Sequence, residues 1–255
     1  MTVLSERHDD VVVIDLNSPP HNFMDAAMMS EIIAILAEPC RAAVIAATGK
    51  SFCAGANFSS GGLLGNETRT AVGFREGVGE FYREAAKLFD VTVPLVAAVH
   101  GPAVGAGAGL ALACDLRVSS PQAFIATNFV RLGIHPGFAI TETLPALIGP
   151  ARASDMLLTG RRIGGEEAMA WGLVDRLVDA DDVRSVAIEL ASQVAAAAPL
   201  AVAATRATLR VGLGERVRKA LEHELEEQAR LAESEDSKEG IAALLEKREP
   251  KFSGS

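Results

Sequence analysis

Short, strongly apolar runs bounded by turn residues punctuate the first half of the chain: VVVIDL at 11–16, AAVIAATG at 42–49, LVAAVHG at 95–101 and LRVSS at 116–120. Near-continuous β-branched runs of this length predict strands buried on both faces. Between the first two, Asp25 is placed to cap a helix over AAMMSEIIAILAE, giving the order strand, helix, strand. Residues 61 to 79, rich in Gly and polar residues without periodicity, read as a mobile loop leading into a helix at 75–89, REGVGEFYREAAKLF. Beyond Leu116, apolar residues recur at spacings of three and four in ETLPALIG, RASDMLLTG, EEAMAWG, VRSVAIELASQVAAA, LAVAATRATLRVG and ERVRKALEHELEEQARLAE. That periodicity predicts a helical second part. Pro199 and Gly212 to Gly214 separate the last long helices, so 199–255 is expected to form a C-terminal helical lobe on an α/β core of 1–198.

With 255 residues and 49% hydrophobic content, the chain has an ample core for such a domain. A net charge of −9 disfavours a nucleic-acid-binding face and favours a small-molecule partner. Cys40, Cys53 and Cys114 are odd in number and lack the paired spacing of a zinc site, so they read as reduced thiols and no metal is expected. The segment MTVLSERHDD has no apolar stretch followed by a cleavage site, and no run of about 18 apolar residues occurs. The expectation is a soluble, cytoplasmic protein without membrane insertion.

Two glycine-rich segments carry the candidate chemistry: SFCAGANF at 51–58 and HGPAVGAGAGLALACD at 100–115. Each reads as a strand running into a Gly/Ala turn and then a helix, which leaves backbone N–H groups unpaired and pointing one way. Two such turns side by side would grip an oxyanion. The competing reading is close strand–helix packing alone. A dinucleotide site is disfavoured because GAGAGL lacks an acidic residue about 20 positions on, at the end of a second strand.

At these segments the chain resembles the crotonase, or enoyl-CoA hydratase/isomerase, superfamily. SFCAGANF is similar to the first oxyanion-hole segment, and HGPAVGAGAGLALACDLRVSS to the second. ARASDMLLTGRRIGGEEAMAWGLVDRLV and KEGIAALLEKREPKF resemble the helical stretch and the C-terminal ending that follow. The resemblance implies a crotonase-like ββα superhelix core and an acyl-CoA thioester as substrate, with CoA part of the substrate rather than a separate cofactor. It implies a homotrimer or a dimer of trimers. It also implies that the N–H groups of Ala56 and Ala106 bind the thioester oxygen, with Ala54, Ala56 and Phe58 lining the adenine end. A thioester gains negative charge on oxygen as an enolate or tetrahedral species forms, and preorganised amides at helix starts stabilise that charge.

The departures bear on the reaction. Where the hydratases carry their two catalytic glutamates, this chain carries Gly109 and Phe129, neither of which moves a proton; both are expected to line the substrate cavity and make that side of it apolar. Hydration by the two-glutamate route is therefore not expected. Three readings stay open: an unassigned hydratase or isomerase route, a different acyl-CoA reaction such as hydrolysis or decarboxylation, and acyl-CoA binding without catalysis. Polar groups that could substitute are Asn128, His135, Glu142, Glu76, Glu80 and Tyr82; a solvated face is the simpler reading for the helix at 75–89. His21 fits a turn. Arg206, Lys247 and Lys251 are candidates to meet CoA phosphates, against an ordinary role on helix surfaces.

Overall fold

A computed structural model describes residues 2–57 and 70–255. Strands β1 (Val3–His8), β2 (Val11–Leu16), β3 (Ala42–Ala47), β4 (Leu95–Val99), β6 (Leu116–Ser119) and β9 (Arg176–Leu177) form one sheet in the order β1-β2-β3-β4-β6-β9. The β1/β2 pair is an antiparallel hairpin and the remaining pairs are parallel. A second sheet, ordered β5-β7-β8, is built from β5 (Ala103–Val104), β7 (Phe124–Ala126) and β8 (Arg162–Gly164).

The apolar runs alternate between two cores, as period-two side chains must. Val12, Ile14 and Leu16 of β2, Ala43 and Ile45 of β3, and Leu95, Ala97 and Val99 of β4 face the main core. Their neighbours Val11, Val13, Val44, Val96 and Ala98 face a thinner layer closed by α7 (Val183–Ala196) through Val183, Ala187, Ala191 and Ala195. The small residues on α7 let that helix lie close to the sheet.

The main core is covered by α1 (Ala26–Leu36), α2 (Ala71–Asp90) and α3 (Ala106–Ala113). Asp25 caps α1, its carboxylate accepting from Met28 N at 2.9 Å. The helix expected at 75–89 begins earlier: Thr70 caps it through Gly73 N, so residues 71–79 are helix rather than loop. Two glycines masked the pattern, because Gly77 and Gly79 dilute a periodicity that Phe74, Val78, Phe81 and Tyr82 otherwise satisfy. The expected loop at 61–69 and Phe58 lie outside the described residues.

The helical second part follows as α4 (Ile140–Ile148), α5 (Pro150–Thr159), α6 (Gly165–Ala170), α7, α8 (Pro199–Leu209), α9 (Leu213–Leu231) and α10 (Glu235–Glu246). Helix α9 lies along α2 and contributes Val217, Leu221 and Ala229 to the main core. Asp115 ties α8 to the sheet: it receives Arg206 Nε and Arg210 Nη1 at 2.8 Å each and accepts from Leu95 N at 2.8 Å. Arg206 is therefore a buried structural cation and not a phosphate ligand. No single helix among the described residues is long and apolar enough to cross a membrane.

Candidate active site

The two glycine segments run side by side. Cys53 N donates to Pro102 O and Val104 N to Cys53 O, a parallel bridge between the segments. On its other edge the first segment is held by Met24 N to Gly55 O and Ala54 N to His21 O. Gly55 has φ +103 and Gly105 has φ +55, conformations that L side chains rarely adopt, and these turns direct the next amide outward. Gly107 serves packing instead, since a Cβ there would meet Cys53 O at 2.1 Å.

Among the described residues, neither Ala56 N nor Ala106 N donates to a protein acceptor. Ala106 is the first residue of α3, so its N–H is one of the orphan donors of a helix start. Both alanines line a cavity of about 800 Å³, as does Ala54. A Cβ on Gly55 would lie 3.9 Å from Ala106 N, which shows how closely the turns abut. Two unpaired backbone donors thus share one mostly apolar cavity.

Part of the cavity wall is aromatic. Phe129, on a 3₁₀ turn at Asn128–Leu132, is buried and lies 3.7 Å from the Cβ direction of Gly105. Gly109 does not reach the cavity lining, because Phe138 covers it: a Cβ at 109 would meet that ring at 2.6 Å. Phe138 and Ala139 both have positive φ, 61° and 55°, a strained pair just before α4.

Buried polar groups hold this turn. Glu224 of α9, with no exposed surface, accepts from Ala139 N at 2.7 Å and from Thr141 Oγ1 at 2.6 Å. Burial pushes its carboxyl up to about 7, against the lowering effect of those hydrogen bonds. Tyr82 Oη donates to Gln228 Oε1 at 2.8 Å, and Gln228 Nε2 donates to His135 O at 2.8 Å. Burial drives the Tyr82 hydroxyl far above the usual phenol range, so it stays neutral.

Among the described residues, Asp25 is the carboxylate in the cavity lining, and it is committed to capping α1. Asn128 and Tyr82 also line the cavity. Glu76 and Glu80 face solvent. Glu142 pairs with Arg216 at 2.6 Å, and His135 directs Nδ1 to Pro136 O. His21 lines the mouth and hydrogen-bonds Ser51 Oγ, and Lys247 also lines the cavity. Phe138, Glu224 and Gln228 carry no signal in the sequence. Phe138 follows a glycine in an unpatterned turn, and Glu224 sits in a charge-rich helix where nothing marks one glutamate as buried. Among the described residues, no cluster of His, Cys, Asp and Glu could hold a metal ion.

The family model for enoyl-CoA hydratase/isomerase matches residues 6–255. The chain belongs to this family. It is 36% identical to a carnitinyl-CoA dehydratase of Salmonella arizonae, over 97% of each chain. Among solved structures it is similar to an enoyl-CoA hydratase/isomerase of Pseudoalteromonas atlantica, with TM-score 0.84 and 27% identity over 99% of this chain and 100% of that one. It is also similar to an enoyl-CoA hydratase of Bacillus anthracis, with TM-score 0.77 and 31% identity over the full length of both. The crotonase-like fold with its C-terminal helical region is thereby established, as is an enzymatic role of the lyase or isomerase kind within an acyl-CoA-handling family.

Proposed function

We propose that this enzyme binds an acyl-CoA with its thioester oxygen between Ala56 N and Ala106 N, and that its reaction does not run through paired glutamates. The observation that carries this reading is the cavity itself. Two unpaired amides open into it, Phe129 lines its wall beside Gly105, and Phe138 fills the space over Gly109. The amides favour an enolate or tetrahedral oxyanion whichever bond is then made or broken, so isomerisation, hydrolysis and decarboxylation of an acyl-CoA remain within reach of the site. Ala54 and Phe58 are assigned to the adenine end, and Lys247 at the cavity to the phosphates.

A second reading, a carrier that only orients its acyl-CoA, is favoured by the same apolar wall. Assembly as a homotrimer or a dimer of trimers, in the cytoplasm, completes the proposal, with residues 199–255 as the helical lobe. Helix α8 supports an assembled state, because Leu200 and Leu209 are 86% and 82% exposed on an alanine-rich surface.

The test pairs two measurements on the wild type and Ala106→Pro. Proline at the first helical position keeps the helix start while deleting the N–H. Acyl-CoA binding without loss of the enoyl-thioester ultraviolet absorbance is expected of the wild type. The variant is expected to lose about 10²–10³ in whatever thioester turnover is found, with free CoA still bound. Enoyl-CoA hydration well above the blank in the wild type would sink the claim that paired glutamates are required for it and absent here.

A further inference from the structure

The chain is poor in aromatic residues, with ten Phe, one Tyr and one Trp in 255 positions. Among the described residues, six of these twelve line this cavity: Phe23, Phe74, Phe81, Tyr82, Phe129 and Phe138. The inner rings come from three separate elements, so no single helix periodicity explains the gathering. Phe74, Phe81 and Tyr82 share the buried face of α2, Phe129 comes from the 3₁₀ turn, and Phe138 from the turn before α4. Phe81 and Phe138 meet with ring centroids 5.6 Å apart and planes inclined at 53°.

Phe138 is the informative member. A ring that merely filled a core could be offered from relaxed backbone, yet this one is presented from a positive φ that disfavours any side chain. Three buried polar side chains keep it there. Glu224 binds the next amide, at Ala139, and Gln228 binds His135 O. Tyr82, held by Gln228, takes a backbone hydrogen bond from Phe138 itself. Gly137 leaves the room they need, since a Cβ at that position would lie 1.8 Å from Tyr82 Oη. Two helices thus commit their buried polar groups to holding one phenyl group at a fixed angle over Gly109.

We propose that the acyl compartment of this cavity takes a flat, ring-bearing acyl group, aromatic in the first instance, and that Phe138 is the residue that sets this preference. The inference rests on the reading that an acyl-CoA occupies the cavity. Ring edges and faces offered at inclined angles complement another ring, each favourable pair being worth roughly two- to tenfold in affinity beyond the area it buries. A rigid ring also has few torsions to freeze, whereas an alkyl chain loses rotational freedom on entering.

The experiment compares phenylacetyl-CoA with octanoyl-CoA, which has the same number of carbons, and with cyclohexylacetyl-CoA. Dissociation constants are measured by calorimetry on the full chain, in the wild type and in Phe138→Leu, which keeps an apolar side chain and is checked for a native unfolding transition. The wild type is expected to bind phenylacetyl-CoA about tenfold or more tighter than octanoyl-CoA, with cyclohexylacetyl-CoA between them. Phe138→Leu is expected to bring that ratio close to one while leaving octanoyl-CoA affinity within about threefold. Equal or tighter binding of octanoyl-CoA by the wild type overturns the inference and leaves the acyl-CoA reading intact, as does an unchanged ratio in Phe138→Leu. Failure of all three thioesters to bind overturns both.

Discussion

The two walls of the cavity are built on opposite terms. On one side, at Ala56 and Ala106, unpaired backbone amides are what the cavity meets, and the side chains are methyl groups. On the other, from Asn128 to Ala139, the backbone is a strained support and the side chains are what the cavity meets. A wall of amides tolerates exchange of its side chains as long as Gly55, Gly105 and Gly107 keep their geometry. A wall of side chains can be rewritten one residue at a time. The difference teaches that a wall of backbone amides and a wall of side chains can change independently of one another.

The largest expected effect comes from placing a carboxylate at 109. Gly109→Glu places its Cβ 2.6 Å from the Phe138 ring and buries a carboxylate, so a loss of about 3 kcal/mol or more is expected from overpacking and an uncompensated charge. Adding Phe138→Ala should recover part of it. A cycle measured by denaturant unfolding should give a coupling above about 1 kcal/mol. Additive losses would mean that the two positions do not compete for one space.

Next in size is the pH dependence through Glu224. Its folded carboxyl is raised to about 7 from an ordinary 4.5, so the protonated form favours the folded state. The contribution is complete below about 4.5, declines between there and about 7, and is lost above. Over that interval the gap in unfolding free energy between Glu224→Gln and the wild type should widen in favour of the glutamine, by on the order of 3 kcal/mol. A constant gap across the interval would mean that Glu224 does not titrate there.

The smallest effect separates a cap from a catalyst. Asp25→Asn keeps an acceptor for Met28 N and should leave stability and any thioester turnover unchanged, whereas Asp25→Ala should cost about 1 kcal/mol in thermal unfolding. Loss of turnover in the asparagine variant, with stability retained, would move Asp25 into the chemistry.

Legibility in the sequence followed the same division. The strands 11–16, 42–47 and 95–99 and the orphan amide of Ala106 rest on local signals, namely apolar runs and glycine turns, which a sequence displays directly. The aromatic wall rests on long-range meetings. Phe138 finds Gly109 across 29 positions in the chain, and Glu224 finds Ala139 across 85, and no local pattern announces either. Arg206 was misread for a related reason: a basic residue on a helix resembles a surface cation until Asp115 of another segment is seen to neutralise it. Tyr82 reads from sequence as part of a solvated helix face, whereas the fold buries it in the cavity wall against Gln228.

The cavity draws its lining from Thr2 at one extreme to Lys247 at the other, with contributions from both glycine segments, α2, the turn at 137–138 and Gln228 between. No contiguous fragment contains the site, and most of its neighbours are far apart along the chain. Ligand binding therefore reports the last stage of folding rather than any early one. A chain with its sheet formed but α9 and α10 undocked would have the amides in place and lack the part of the wall that Gln228, Leu244, Leu245 and Lys247 supply.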